Sequence, residues 1–96
     1  MDVGRTKGSP RLKGVLKMIV RSVSCYSASG STRSSFKILH YEYEGENVYS
    51  MKIEDSDRLT GKTYSEKNFP TLESANDFIN GWIGFYERQG GTVYED

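Results

Sequence analysis

Cysteine, histidine and tryptophan each occur once in the 96 residues, and the chain carries no net charge. The single Cys25 excludes an intrachain disulfide and a cysteine zinc cluster. It fits a reducing compartment, so the expected location is cytoplasmic. The single His40 has no second histidine with which to share a metal, and a general base needs an orienting partner. The longest apolar run, Met18-Ile19-Val20, is far too short to span a bilayer, and no secretory signal pattern is present. The serine-rich run Ser27 to Ser35 lacks the lysine spacing of a P-loop. Asp55-Ser56-Asp57 lacks the loop of a calcium site, and no G-x-S-x-G elbow occurs. No internal repeat is evident. These absences leave no assembled catalytic site, so the chain is expected to be non-enzymatic, with no cofactor and no metal.

What is present begins with one long amphipathic helix between Pro70 and Gly91. Thr71 reads as its N-cap, and Glu73 lies near the positive end of the helix dipole. The capping box reads as imperfect, because Ser74 stands where Glu or Gln is usual. Arg88 lies in the last turn, and Gly90-Gly91 supplies the stop. At about 100° per residue, Leu72, Ala75, Phe78, Ile79, Trp82, Ile83 and Tyr86 fall on one arc wide enough to cover a sheet, with Phe85 at its edge. The opposite side is polar except for a strip of small residues, Ser74, Gly81 and Gly84. With Asp77 and Arg88 these form a candidate partner-contact surface. Mere tolerance of small residues on a packed helix is the favoured explanation of the strip.

Ahead of the helix the pattern is that of strands. Val15 to Tyr26 is apolar on both parities, which suits a central strand or a bulge that switches faces. Ser27 to Ser35 reads as a loop. In Phe36 to Glu44, Leu39, Tyr41 and Tyr43 share a face. Val48 to Glu54 alternates cleanly, with Tyr49, Met51 and Ile53 inward. The two are joined at Gly45-Glu46-Asn47 as a hairpin. Thr63 to Phe69 reads as a short fourth strand, and Thr92 to Tyr94 as a short edge strand or simply the tail. The expected fold is therefore α+β. An antiparallel β-meander of three to four strands is followed by one long amphipathic α-helix on one sheet face. Residues 1–14 are expected to be a flexible basic arm, and residues 15–96 a single domain. The expected core contains Val20, Leu39, Tyr41, Met51, Ile53, Leu72, Phe78, Ile79 and Trp82. Cys25 is expected to be a small buried residue. His40 reads as a polar strand residue, and Glu42 and Glu44 as a solvated strand face.

The zero net charge conceals an asymmetry. Residues 1–33 hold seven Lys or Arg against Asp2 alone, leaving six basic and twelve acidic side chains in residues 34–96. A basic front ahead of an acidic body suits an arm that contacts an anionic partner, or one that lies back on its own body. Arg5, Lys7, Arg11, Lys13 and Lys17 are the candidate nucleic-acid contacts, with tyrosines on the sheet available to stack on bases. The acidic body favours another protein as the partner of a small regulator or inhibitor, bound at a sheet edge, at the acidic strand face or on the helix strip. Nucleic acid is the alternative, and a homo-oligomer through strand edges is the third. No membrane partner is expected.

Asp57-Arg58-Leu59-Thr60-Gly61-Lys62, followed by Phe69-Pro70-Thr71-Leu72-Glu73-Ser74-Ala75, resembles the end of the arm-binding domain of phage-type integrases. There, a sheet that enters a DNA groove is followed by a helix. The same run is similar to the strand-to-helix part of WGR domains, although the Trp-Gly-Arg itself is missing. Each resemblance covers under a third of the chain and assigns no residue a role. Both imply nucleic acid.

Overall fold

A computed structural model describes residues 14–96. The arm expected over the first residues, with Arg5, Lys7, Arg11 and Lys13, lies outside the described residues apart from Gly14. Strands β1 (Val15–Tyr26), β2 (Thr32–Tyr43), β3 (Glu46–Asp57) and β4 (Gly61–Phe69) run as an antiparallel meander. Helix α1 (Leu72–Arg88) follows, and β5 (Thr92–Glu95) returns antiparallel to β1. The sheet order is β4-β3-β2-β1-β5. The sheet therefore has five strands, not three to four. The added strand is four residues long, too short for an alternating pattern to stand out.

The turns explain the pairing. Glu44 and Gly45 both have positive φ, 52° and 80°. Two such residues make the tight hairpin whose twist matches the strands, so β2 and β3 pair without interruption from Thr32↔Asp57 to Tyr43↔Glu46. Between β1 and β2, Ser27 N–H donates to the Thr32 carbonyl at 2.9 Å, and Thr32 N–H to Ser27 Oγ at 3.1 Å. Side-chain hydroxyls thus do local backbone work, and the expected loop over Ser27–Ser35 shrinks to Ser27–Ser31. At the third turn, Asp57 Oδ1 accepts from the Leu59 and Thr60 amides at 2.8 and 3.2 Å.

The helix packs on one sheet face. Val23 and Cys25, Phe36 and Ile38, and Met51 and Ile53 meet Ala75, Ile79 and Tyr86 in one buried cluster. Val20, Leu72 and Phe78 pack against its margin, as expected of core residues. Two assignments are corrected. On β2 the parity of Phe36 and Ile38 faces the helix; Leu39 is buried as expected, though on the other face, whereas Tyr41 is only half-buried. Apolar residues stand at both parities in Phe36-Lys37-Ile38-Leu39, and only the partner strands decide between them. Trp82 lies at the rim, 39% exposed, stacked on Phe36 at 6.4 Å. β1, expected as a central strand or a bulged one, shows register breaks between Leu16 and Met18 and between Ile19 and Arg21.

Both ends of α1 are locked. Ser74 N–H donates to Thr71 Oγ1 at 3.1 Å, and Thr71 N–H to Ser74 Oγ at 3.4 Å. Ser74 thus completes the box that its short side chain seemed to leave open. At the other end Gly90 takes φ 81°, and Gly91 N–H donates to the Tyr86 carbonyl at 2.8 Å. A Cβ on Gly91 would collide with the Tyr26 carbonyl oxygen. The chain can therefore turn tightly enough to lay β5 beside β1.

Candidate nucleic-acid interface

The face of the sheet away from α1 carries two adjacent rungs of side chains. Register aligns Ser22, Lys37, Lys52 and Glu66 across β1 to β4, and next to them Ser24, Ser35, Glu54 and Tyr64. The two rungs border an open depression of about 620 Å³.

The two carboxylates of these rungs, Glu54 and Glu66, are already engaged. Glu54 Oε2 accepts from Arg33 at 3.2 Å and lies 3.4 Å from Lys62 Nζ. Glu66 Oε2 accepts from buried Ser50 at 2.8 Å. On the opposite parity of β2, Glu42 lies 3.1 Å from Lys17, which places one expected nucleic-acid contact in an internal ion pair. Ser24 and Ser35 hydroxyls bond each other at 3.2 Å. Within the two rungs, the hydroxyls of Ser22 and Tyr64 and the ammonium groups of Lys37 and Lys52 have no hydrogen-bond or ionic partner among the described residues. Tyr64 is 72% exposed.

The helix side has the opposite sign. Its solvent surface carries Glu73, Asp77 and Glu87 against Arg88. The expected contact residues Ser74, Asp77, Gly81, Gly84 and Arg88 follow one another at three- and four-residue spacing along one side of α1. Ser74 is spent in the cap, and Gly84 lies beneath the Arg88 guanidinium. Asp77 and Gly81 border a shallow cleft with Phe78, Trp82 and Phe85.

No family model, no curated protein and no solved structure matches this chain.

The other chemically capable side chains are occupied structurally. His40 Nε2 is 2.8 Å from Asn47 Oδ1, and the ring stacks on Tyr49 at 5.1 Å. Cys25 is fully buried, and burial, helped by Glu87 and Glu95, pushes its thiol up from the ordinary range. Among the described residues, no group of three or more His, Cys, Asp or Glu is placed to hold a metal. No helix among the described residues is long and apolar enough to cross a membrane.

Sequence reasoning missed Arg21, counted only as part of the basic front. Its Nε and Nη2 donate to the two carboxylate oxygens of Glu95 at 2.9 and 3.0 Å, and Nη1 donates to Asn76 at 2.9 Å and Asn80 at 3.2 Å. One guanidinium ties β1 to β5 and α1, using the fork geometry that lysine lacks. The Glu95 hydrogen bond holds Arg21 above its ordinary range and Glu95 below its own.

Proposed function

We propose that this chain is a small non-catalytic module that binds single-stranded nucleic acid across the open face of its sheet. The observation that carries the reading is the segregation of charge. The acidic character of the body sits largely on the helix side, whereas the open face keeps Lys37 and Lys52 with no counter-ion among the described residues. A polyanion is attracted to such a face and releases counterions on binding. Single strands suit it better than a duplex. An exposed tyrosine offers a stacking platform, while the helix that would enter a major groove presents carboxylates. A protein partner, which the acidic composition favours, would meet the helix side, where Trp82 and Phe85 stand exposed.

Fluorescence anisotropy of labelled oligothymidylate against the full chain, over a salt series, tests the reading. A companion full-length variant with Arg5, Lys7, Arg11 and Lys13 changed to Gln separates the front of the chain from the sheet. Binding that weakens steeply with salt and persists in the variant is the expected result. Binding lost entirely with those four side chains would assign the affinity to the front instead, and no binding at low salt would return the protein partner to first place.

A further inference from the structure

The open face holds one feature that its general charge does not account for. Lys37 and Lys52 are directly opposed on neighbouring strands. Like charges in that position repel and destabilise the pair. The rung continues to Ser22 on one side, whose hydroxyl is unpaired among the described residues, and to Glu66 on the other, whose Oε2 is turned to Ser50. Three adjacent donors thus stand on strands about 4.8 Å apart, with no acceptor between them. An oxyanion bridging the two ammonium groups would remove the repulsion and take the Ser22 hydroxyl as a third donor. Tyr64 belongs to the next rung on β4, diagonal to Lys52, and borders the same depression. Its ring lies within reach of a base whose phosphate occupies the lysines.

We propose that Ser22, Lys37 and Lys52 form a phosphate seat and Tyr64 its stacking platform, together a one-nucleotide subsite of the open face. The inference rests on the nucleic-acid reading and gives it a location. Phosphate supplies the charge-assisted hydrogen bonds here and the base supplies stacking. A ligand with phosphate but no base should therefore use only half of the site.

The test uses the full chain, labelled oligothymidylate, and inorganic tripolyphosphate as a competitor. Lys37→Gln with Lys52→Gln should lower the slope of log affinity against log salt by about 0.7, the value for one single-strand phosphate. It should also abolish competition by tripolyphosphate, and the paired Lys→Arg variant should restore both. Tyr64→Ala should weaken oligothymidylate by about fivefold or more and leave tripolyphosphate unaffected. All four positions are at least partly open to solvent, and a cooperative urea transition monitored by Trp82 fluorescence confirms that each variant is folded. Oligothymidylate bound by the double Gln variant with native affinity and salt slope would overturn the subsite while leaving the open-face reading intact. Failure of the native chain to bind oligothymidylate at low salt would overturn both.

Discussion

Ser34 is the most consequential small side chain in the sheet. It is 4% exposed, its hydroxyl donates to Asp55 Oδ1 at 2.6 Å, and it accepts from the Tyr86 hydroxyl at 2.8 Å. Tyr86 can sit in an apolar cluster because its polar tip has this partner. Ser34→Ala strands a buried hydroxyl and should cost about 1–3 kcal/mol, whereas Tyr86→Phe leaves Ser34 bonded to Asp55 and should cost about 0.5–1.5 kcal/mol. Urea unfolding of the two variants measures the difference, and equal costs would contradict the chain of donors. Arg21 and Glu95 make a pH-dependent contribution. Glu95 is held below its ordinary value of 4.5 in the folded chain. Its contribution is therefore fully present above that value and is lost as pH falls through the lower, folded one. The stability difference between the native chain and Glu95→Gln should be constant near neutrality and narrow below about pH 4.5. It should be small throughout, because the Glu95 side chain is half exposed. None of these partnerships was legible in the sequence. Arg21 stands far along the chain from Asn76, Asn80 and Glu95, and only folding joins them.

At the scale of the element, α1 was the most legible part of the chain because its signals are local. The cap, the apolar arc and the terminal glycines lie within one stretch and agree with one another. Its glycines behave differently from each other. A Cβ at Gly81 meets nothing, while one at Gly84 would lie 3.0 Å from the Arg88 guanidinium. Gly81→Ala should stabilise the fold by about 1 kcal/mol, and Gly84→Ala by less, since Arg88 must move. Thermal unfolding of both variants checks the order. Strands were legible in proportion to how little they depend on neighbours. β3 alternates cleanly and its inward face was read correctly, although the strand extends beyond Val48 to Glu54 at both ends. Apolar residues at both parities of β1 left a central strand and a bulge both open, and the register breaks supply the bulge. The inward face of β2 could not be chosen between Ile38 and Leu39 without knowing that Val23 and Ile53 flank Phe36. β5 was the least legible, since its place beside β1 depends on the tight passage of Gly91 past Tyr26.

For the whole molecule, the decisive property is one that a linear sequence conceals. Charges counted along the chain give a basic front and an acidic body, yet the fold sorts the body's own charges by face. Alternation along β2 and β3 puts Lys37 and Lys52 on the side away from the helix, and the register makes them neighbours. The same sorting implies a conflict between stability and binding. Lys37→Glu would place an opposite charge across from Lys52. It should raise stability by about 0.2–1 kcal/mol while weakening oligothymidylate binding. A variant that lost both would indicate that the rung serves the fold alone. The most direct test of the open-face account is a map of backbone amide shifts in the full chain on addition of oligothymidylate. The account predicts changes clustered on β1 to β4 around Ser22, Ser35, Lys37, Lys52 and Tyr64, with α1 silent. Changes confined to Asp77 through Tyr86 of the helix, with those strands unmoved, would contradict it.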